Sequence, residues 1–154
     1  MKKWLKRSLI ALLIIICLGV LVFLLGPKPE PLQASAQVQQ NLPAWFTDAS
    51  QIGKYLQQKD EGKKIREGNY SQVIWADRVG KKTKYVLLYI HGFSASPEEG
   101  NPVHQGVAMR YGMNMYAPRL PGMGLEGADA MLGFTAEKLL QAPKAALEAA
   151  RLLG

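Results

Sequence analysis

The stretch Tyr85–Gly100, "YVLLYIHGFSASPEEG", decides how the rest of the sequence is read. Val86, Leu87, Leu88 and Ile90 form a near-continuous apolar run, the pattern of a parallel strand covered on both faces. At His91-Gly92 the run stops and small and acidic residues take over. A strand explains the first half and leaves the ending to chemistry. In an open α/β sheet, ligands bind outside the carboxyl ends of the strands. Around Gly92 the backbone can approach a ligand closely, because no side chain intervenes.

On either side of this stretch the chain alternates strands and helices. Tyr70–Ala76, "YSQVIWA", reads as a strand, and "DRVGKKTK" as the turn that follows it. Asn101 and Pro102 are suited to cap and open a helix that Gly112 closes. "MNMYAPRL" is a second strand of the βαβ kind, and Gly122–Gly133 is a loop holding four glycines. From Thr135 to Leu153 the sequence is rich in Ala and Leu, with Pro143 expected to break or restart the helix and Gly154 to cap it. Upstream, Asp48 is a candidate cap for a helix reaching Lys59, with Ile52, Tyr55 and Leu56 at helical spacing. The order predicts an α/β fold with a mostly parallel sheet and crossover helices.

The 154 residues are 48% hydrophobic and 20% charged, an ordinary globular composition that is unevenly distributed. Ser8–Gly26 carries no charge and would span about 28 Å as a helix. Lys2, Lys3, Lys6 and Arg7 precede it, whereas only Lys28 follows closely. This reads as a single-pass signal anchor with its N-terminus in the cytoplasm and the bulk of the chain on the extracytoplasmic side. The organisation is then a basic segment (1–7), a transmembrane helix (8–26), a tether (27–41) and the α/β part (42–154). Trp4 suits the membrane interface. The bilayer, met through residues 8–26, is the first expected partner. The competing reading is a signal peptide cleaved near Ala36 to give a secreted or periplasmic protein. Against it, the apolar run exceeds the roughly 7–15 residues of a signal core, and Ala36 lies 11 residues beyond Leu25.

Several function classes are disfavoured. Of the +7 net charge, residues 1–30 hold five basic and one acidic residue, leaving 14 basic against 11 acidic in the remainder. Lys81, Lys82 and Lys84 form a solvated turn with no interleaved aromatics, so nucleic acid is not an expected partner. Cys17 lies within the apolar run and the exported part has no cysteine, so no disulfide framework exists. His104 has no second ligand at metal spacing, and neither metal nor cofactor is expected. Gly122–Gly127 fits G-x-G-x-x-G, but Pro121 precedes it and a poor helix former follows, which argues against a dinucleotide turn. Glu98 and Glu99 read as a solvated lead into a helix rather than an acid pair. Trp45 and Trp75 read as core residues.

"LLYIHGFSAS" followed by "YAPRLPGMG" resembles the first half of an α/β-hydrolase, and "IREGNYSQVIWAD" resembles the segment leading into that fold. More narrowly, residues 42–154 are similar to bacterial serine aminopeptidases and monoglyceride-lipase-like esterases. The resemblance implies an ester, acylglycerol or peptide substrate and a Ser-His-Asp mechanism. It implies that Phe93 donates a backbone N–H to an oxyanion hole, that His91 and Gly92 shape that loop, and that Gly122 and Gly124 shape the loop beside the site. Met123 stands where such proteins often have His. The strand ending at His91 would be central, with one edge on the strand near Tyr116 and the other on a strand after Gly154. The nucleophile is expected in Gly-x-Ser-x-Gly roughly ten to twenty residues past Gly154. Ser94 and Ser96 lack that context, so nucleophile, acid and base are absent from the 154 residues. The expectation is an N-terminal fragment of a membrane-anchored serine hydrolase, inactive alone; the alternative is a non-catalytic envelope protein descended from one.

Overall fold

The computed structural model describes residues 3–28 and 42–154. The tether and the Ala34–Ala36 cleavage motif therefore fall almost wholly outside the described residues. The chain divides into two compact units, Met1–Gln33 and Ala34–Gly154.

The first unit contains helix α1, Lys3–Leu25, with no residue buried. Its 23 residues include an 18-residue window of mean hydropathy 3.3. At 1.5 Å per residue they extend about 34 Å, enough to cross a bilayer or serve as a signal anchor. The helix starts earlier than its uncharged run because the basic residues before Ser8 are also good helix formers.

The second unit opens with a single 3₁₀ turn, Ala49–Gln51, capped by Asp48, whose carboxylate accepts from Ser50 N at 2.7 Å. The turn runs directly into helix α2, Ile52–Asp60. Three strands follow: β1 (Gln72–Ile74), β2 (Val86–Leu88) and β3 (Asn114–Ala117). Helix α3, Val103–Arg110, joins β2 to β3, and helix α4, Ala136–Leu153, ends the described chain.

The architecture is α/β, but the sheet is mixed rather than mostly parallel. Its order is β1-β3-β2, with β2 parallel and β1 antiparallel to β3. The parallel pair is the βαβ unit expected from the alternation of elements. Among the described residues β3 has partners on both sides, and β2 pairs with it along the one edge expected of the strand near Tyr116. All four residues of β3 are buried, whereas β2 pairs along one edge and is only half-buried. An apolar run marks a strand wanting cover; which strand receives partners on both sides is a property of the sheet.

Side chains alternate across β3 as the pleat requires. Tyr116 joins Phe46, Ile52 and Tyr55 with Ala146, Ala149, Ala150 and Leu153 of α4 in one cluster. Met115 and Ala117 join Ala108 of α3 in a second, against Ile74, Leu87 and Tyr89. Trp45 and Trp75 pack against the first cluster. Asn114, fully buried, is satisfied throughout its amide: Nδ2 donates to the Lys81 carbonyl at 2.8 Å and the Leu153 carbonyl at 2.9 Å, and Oδ1 accepts from Ala76 N at 3.0 Å.

One cap and one helix break differ from expectation. Asn101 does not cap α3; it follows a 3₁₀ turn, Pro97–Gly100, capped by Ser96, and its amide turns back to Glu98. Pro143 neither breaks nor restarts α4, which runs unbroken from its Thr135 cap to Gly154. A proline removes only one intrahelical donor, and the flanking apolar face remains buried against the sheet.

Candidate oxyanion-type loop

Two loops leave the carboxyl ends of the parallel strands, one starting at His91 after β2 and one at Pro118 after β3. His91 is 3% exposed. Its Nε2 accepts the Leu120 N–H at 3.1 Å and its Nδ1 lies 2.9 Å from the Gly92 carbonyl. An accepting Nε2 carries no proton, so the proton sits on Nδ1 and is donated to Gly92 O. Both ring nitrogens are occupied in joining one loop to the other.

Gly92 is held at both ends. Its carbonyl accepts from His91 and from Ala95 N at 3.3 Å, and its N–H donates to Glu99 Oε2 at 2.8 Å. Glu99 also accepts from the Tyr89 hydroxyl at 3.3 Å. Partial desolvation, and then this carboxylate, push the Tyr89 phenol pKa above its ordinary value. A Cβ on residue 92 would sit 3.4 Å from both Glu99 carboxylate oxygens, so glycine leaves room for this approach. Glu98 points elsewhere, to Gln72 and Asn101. The two neighbouring carboxylates are exposed in the 3₁₀ turn Pro97–Gly100 and form no acid pair, each accepting from different neighbours.

Phe93 comes next. Among the described residues its N–H donates no hydrogen bond. Its ring is 67% exposed and meets Phe134 edge-on, centroids 5.5 Å apart. Ser94 follows at φ +62°, a left-handed conformation that a non-glycine residue adopts at a cost of about 1–2 kcal/mol. The loop therefore turns sharply just after the unpaired amide.

On the opposing loop, Gly122 at φ +75° and Gly124 at φ +68° provide bends that L side chains resist. A Cβ at Gly124 would lie 2.7 Å from Asn69 Cβ. Leu125 bridges to Ile65, and the Gly124 carbonyl accepts from Arg66 N at 2.9 Å. The loop is thereby pinned to the segment before β1, and no helix follows it until Ala136, so Gly122–Gly127 is a packed turn and not a phosphate cradle. The Met123 side chain is buried, and its carbonyl accepts from Arg119 Nη1 at 3.0 Å. His104 is also buried. Its Nε2 lies 3.1 Å from the Pro97 carbonyl, and its ring meets Tyr89 edge-on at 4.7 Å, a packing role.

A charged group beside this loop was not legible as a unit in the sequence. Arg119, 3% exposed, pairs with Asp60 at 2.6 Å, and Lys59 Nζ lies 3.5 Å from the Arg119 carbonyl. Burial first, and then the Arg119 guanidinium, push Lys59 down to about 8, with Lys63 adding to the effect and Asp60 opposing it. An arginine directly after a buried strand signals a carboxylate partner, but nothing in the sequence singles out a residue 59 positions earlier.

A groove of about 780 Å³ lies elsewhere, lined by Trp45, Lys54, Leu56, Asp60, Tyr70 and Ser71 among others. It includes none of His91, Gly92 or Phe93. Volume alone does not make it the site: of its two hydroxyls, on Tyr70 and Ser71, Ser71 Oγ accepts from Arg119 N at 2.9 Å, and no histidine lines the groove to activate either. Among the described residues no group of three or more His, Cys, Asp or Glu could hold a metal ion. Comparison with protein-family models, with curated proteins and with solved structures finds no match.

Proposed function

We propose that this chain is the N-terminal portion of a membrane-anchored serine hydrolase of the α/β-hydrolase type, contributing part of an oxyanion hole. The substrate class is an ester, acylglycerol or peptide met outside the cytoplasm. The observation that carries the reading is the Phe93 amide. It follows the carboxyl end of a strand parallel to its neighbour, it has no acceptor among the described residues, and the residue before it is clamped by His91 and Glu99. A fixed, unpaired N–H is what stabilisation of a developing oxyanion requires, since no reorganisation is then needed as charge appears. The parallel pairing of Val86–Leu88 with Asn114–Ala117 also supports the reading, because the resemblance calls for that pair.

The nucleophile, acid and base are not among these 154 residues, which contain no Gly-x-Ser-x-Gly. An oxyanion donor without an activated nucleophile has no reaction to accelerate. The chain alone is therefore expected to hydrolyse no p-nitrophenyl ester and to take no fluorophosphonate label. The DNA following codon 154 tests the proposal. A frame that continues into a Gly-x-Ser-x-Gly segment, with a product that labels on that serine, supports it.

A second reading, a non-catalytic membrane-anchored envelope protein, is favoured by one feature. Glu99 already occupies the Gly92 N–H and places a negative carboxylate beside the loop. A stop at codon 155, with stoichiometric binding of a partner by the 154-residue product, would establish it over the hydrolase.

A further inference from the structure

The face at the amino ends of the two parallel strands is assembled from segments far apart in sequence. Asn114, at the start of β3, gathers them: its Nδ2 donates to the Lys81 and Leu153 carbonyls, its Oδ1 accepts from Ala76 N, and its own N–H donates to Thr83 Oγ1 at 3.1 Å. The end of β1, the turn 77–84, the end of α4 and the residues between α3 and β3 therefore meet at one end of the sheet. We propose that this amino-end face docks on the surface of an anionic lipid bilayer.

Lys81, Lys82 and Lys84, read from the sequence as a solvated turn, are only part of its charge. Arg78, Arg110 and Arg151 join them from the turn, α3 and α4, and all six side chains are exposed. Among the described residues the acids at this end are fewer. Asp77 pairs with Lys81, Asp48 accepts from Ser50 N, and Glu148 lies on α4 one turn before Arg151. Between these cations the fold leaves four large apolar side chains in water: Val79 is 80% exposed, Met109 and Tyr111 each 67%, and Tyr85 62%. Charge and ring lie side by side, with Lys84 Nζ 5.2 Å from the centroid of Tyr85. The turn that presents Val79 is seated on the rest of the unit, since a Cβ at Gly80 would lie 3.1 Å from Ser50 Cβ.

Headgroup phosphates attract lysine and arginine held near a membrane surface, while tyrosine and aliphatic side chains gain by entering the interfacial layer. A soluble polyanion would satisfy the six cations and leave Val79 and Met109 in water, so the mixture of charge and exposed apolar surface favours the bilayer. The loop carrying Phe93 leaves the opposite, carboxyl ends of the same strands. A bilayer under the amino-end face therefore turns the Phe93 amide towards water, and substrate arrives from solution. That consequence, unlike the docking, rests on the hydrolase reading.

The full chain carrying Cys17→Ser is given one new cysteine, Val79→Cys or, on the loop at the opposite end, Ala128→Cys, and labelled with an environment-sensitive nitrobenzoxadiazole dye. Each product is placed in nanodiscs of phosphatidylcholine with or without about 30% phosphatidylglycerol. With the anionic lipid, emission from position 79 should shift to the blue and be quenched by spin-labelled lipid about threefold or more beyond position 128. High salt, omission of phosphatidylglycerol, and the triple variant Lys82→Gln, Lys84→Gln, Arg110→Gln should each remove most of that difference. Equal quenching at positions 79 and 128, or a difference that persists unchanged in neutral discs, would overturn the proposal. So would a blue shift at position 79 that polyphosphate produces in neutral discs and phosphatidylglycerol does not, which would assign the face to a soluble polyanion. None of these readouts depends on catalysis, so failure of the docking and failure of the hydrolase reading are separate results.

Discussion

The imidazole of His91 joins two loops 29 residues apart in sequence, its Nε2 accepting the Leu120 N–H at 3.1 Å while Nδ1 meets the Gly92 carbonyl at 2.9 Å. Leu120 is itself 2% exposed, so its N–H has no recourse to water. Replacing His91 by Phe keeps the volume and removes the acceptor. A buried donor left without a partner costs about 1–3 kcal/mol. Hydrogen exchange in the detergent-solubilised chain should show the Leu120 amide exchanging about tenfold faster or more. Unchanged protection at Leu120 would mean that this latch does not hold the loops together.

Glu99 offers a milder test of the same loop, because its side chain is exposed and water can replace it. Glu99→Gln keeps an acceptor for Gly92 N–H; Glu99→Ala does not. The Gly92 amide is expected to stay protected in the first variant and to exchange several-fold faster in the second, with less than about 1 kcal/mol of overall stability lost. Equal exchange in both variants would show that the 2.8 Å contact contributes no protection.

Arg119 and Asp60 should behave very differently from a surface pair. Removing one partner strands the other charge out of water, at a cost of about 3–5 kcal/mol. Arg119→Met and Asp60→Asn are each expected to lower the urea midpoint strongly, whereas Lys81→Met, which removes an exposed pair with Asp77, should leave it within about 0.5 kcal/mol. Trp45 and Trp75, both packed on the core, provide the fluorescence signal.

Lys59 gives stability a pH dependence with a definite sign. Its amine titrates near 8 when folded and near the ordinary 10.5 when unfolded. Between those values the unfolded chain binds more protons, so stability should rise as pH climbs from about 8 towards 10.5. Lys59→Met should flatten this slope. A urea midpoint that falls over the same window in the parent chain, by more than it does in the variant, would contradict the assignment.

The charge asymmetry about α1 predicts membrane orientation. Lys2, Lys3, Lys6 and Arg7 on one side, against Lys28 on the other, should retain the N-terminus in the cytoplasm. Alkaline phosphatase fused after Gly154 should therefore be active in a bacterial host. A fusion of normal abundance without activity would reverse the topology.

Sequence alone determined the features that repeat along the chain or act within a few residues. The charge-free run of Ser8–Gly26, the β2-α3-β3 alternation, the Asp48 cap, the helical stretch from Thr135 and the Gly112 stop were all legible, because periodicity and capping are local physics. Local reading erred where two local preferences competed. Ser96 caps an intervening 3₁₀ turn and α3 starts after Pro102 with no side-chain cap, and α4 absorbed Pro143 because its buried face outweighed one missing hydrogen bond. The tertiary structure alone decided that β3 is the buried centre, that β1 runs antiparallel to it, and that Glu99 reaches Gly92. It likewise brought Asp60 to Arg119 and Lys81, Leu153 and Ala76 to one asparagine amide. These are contacts between residues distant along the chain or turned towards each other by a loop, and those of Asn114 and Arg119 satisfy buried polar groups. No local pattern encodes them, because the need for a partner arises only once the sheet has excluded water.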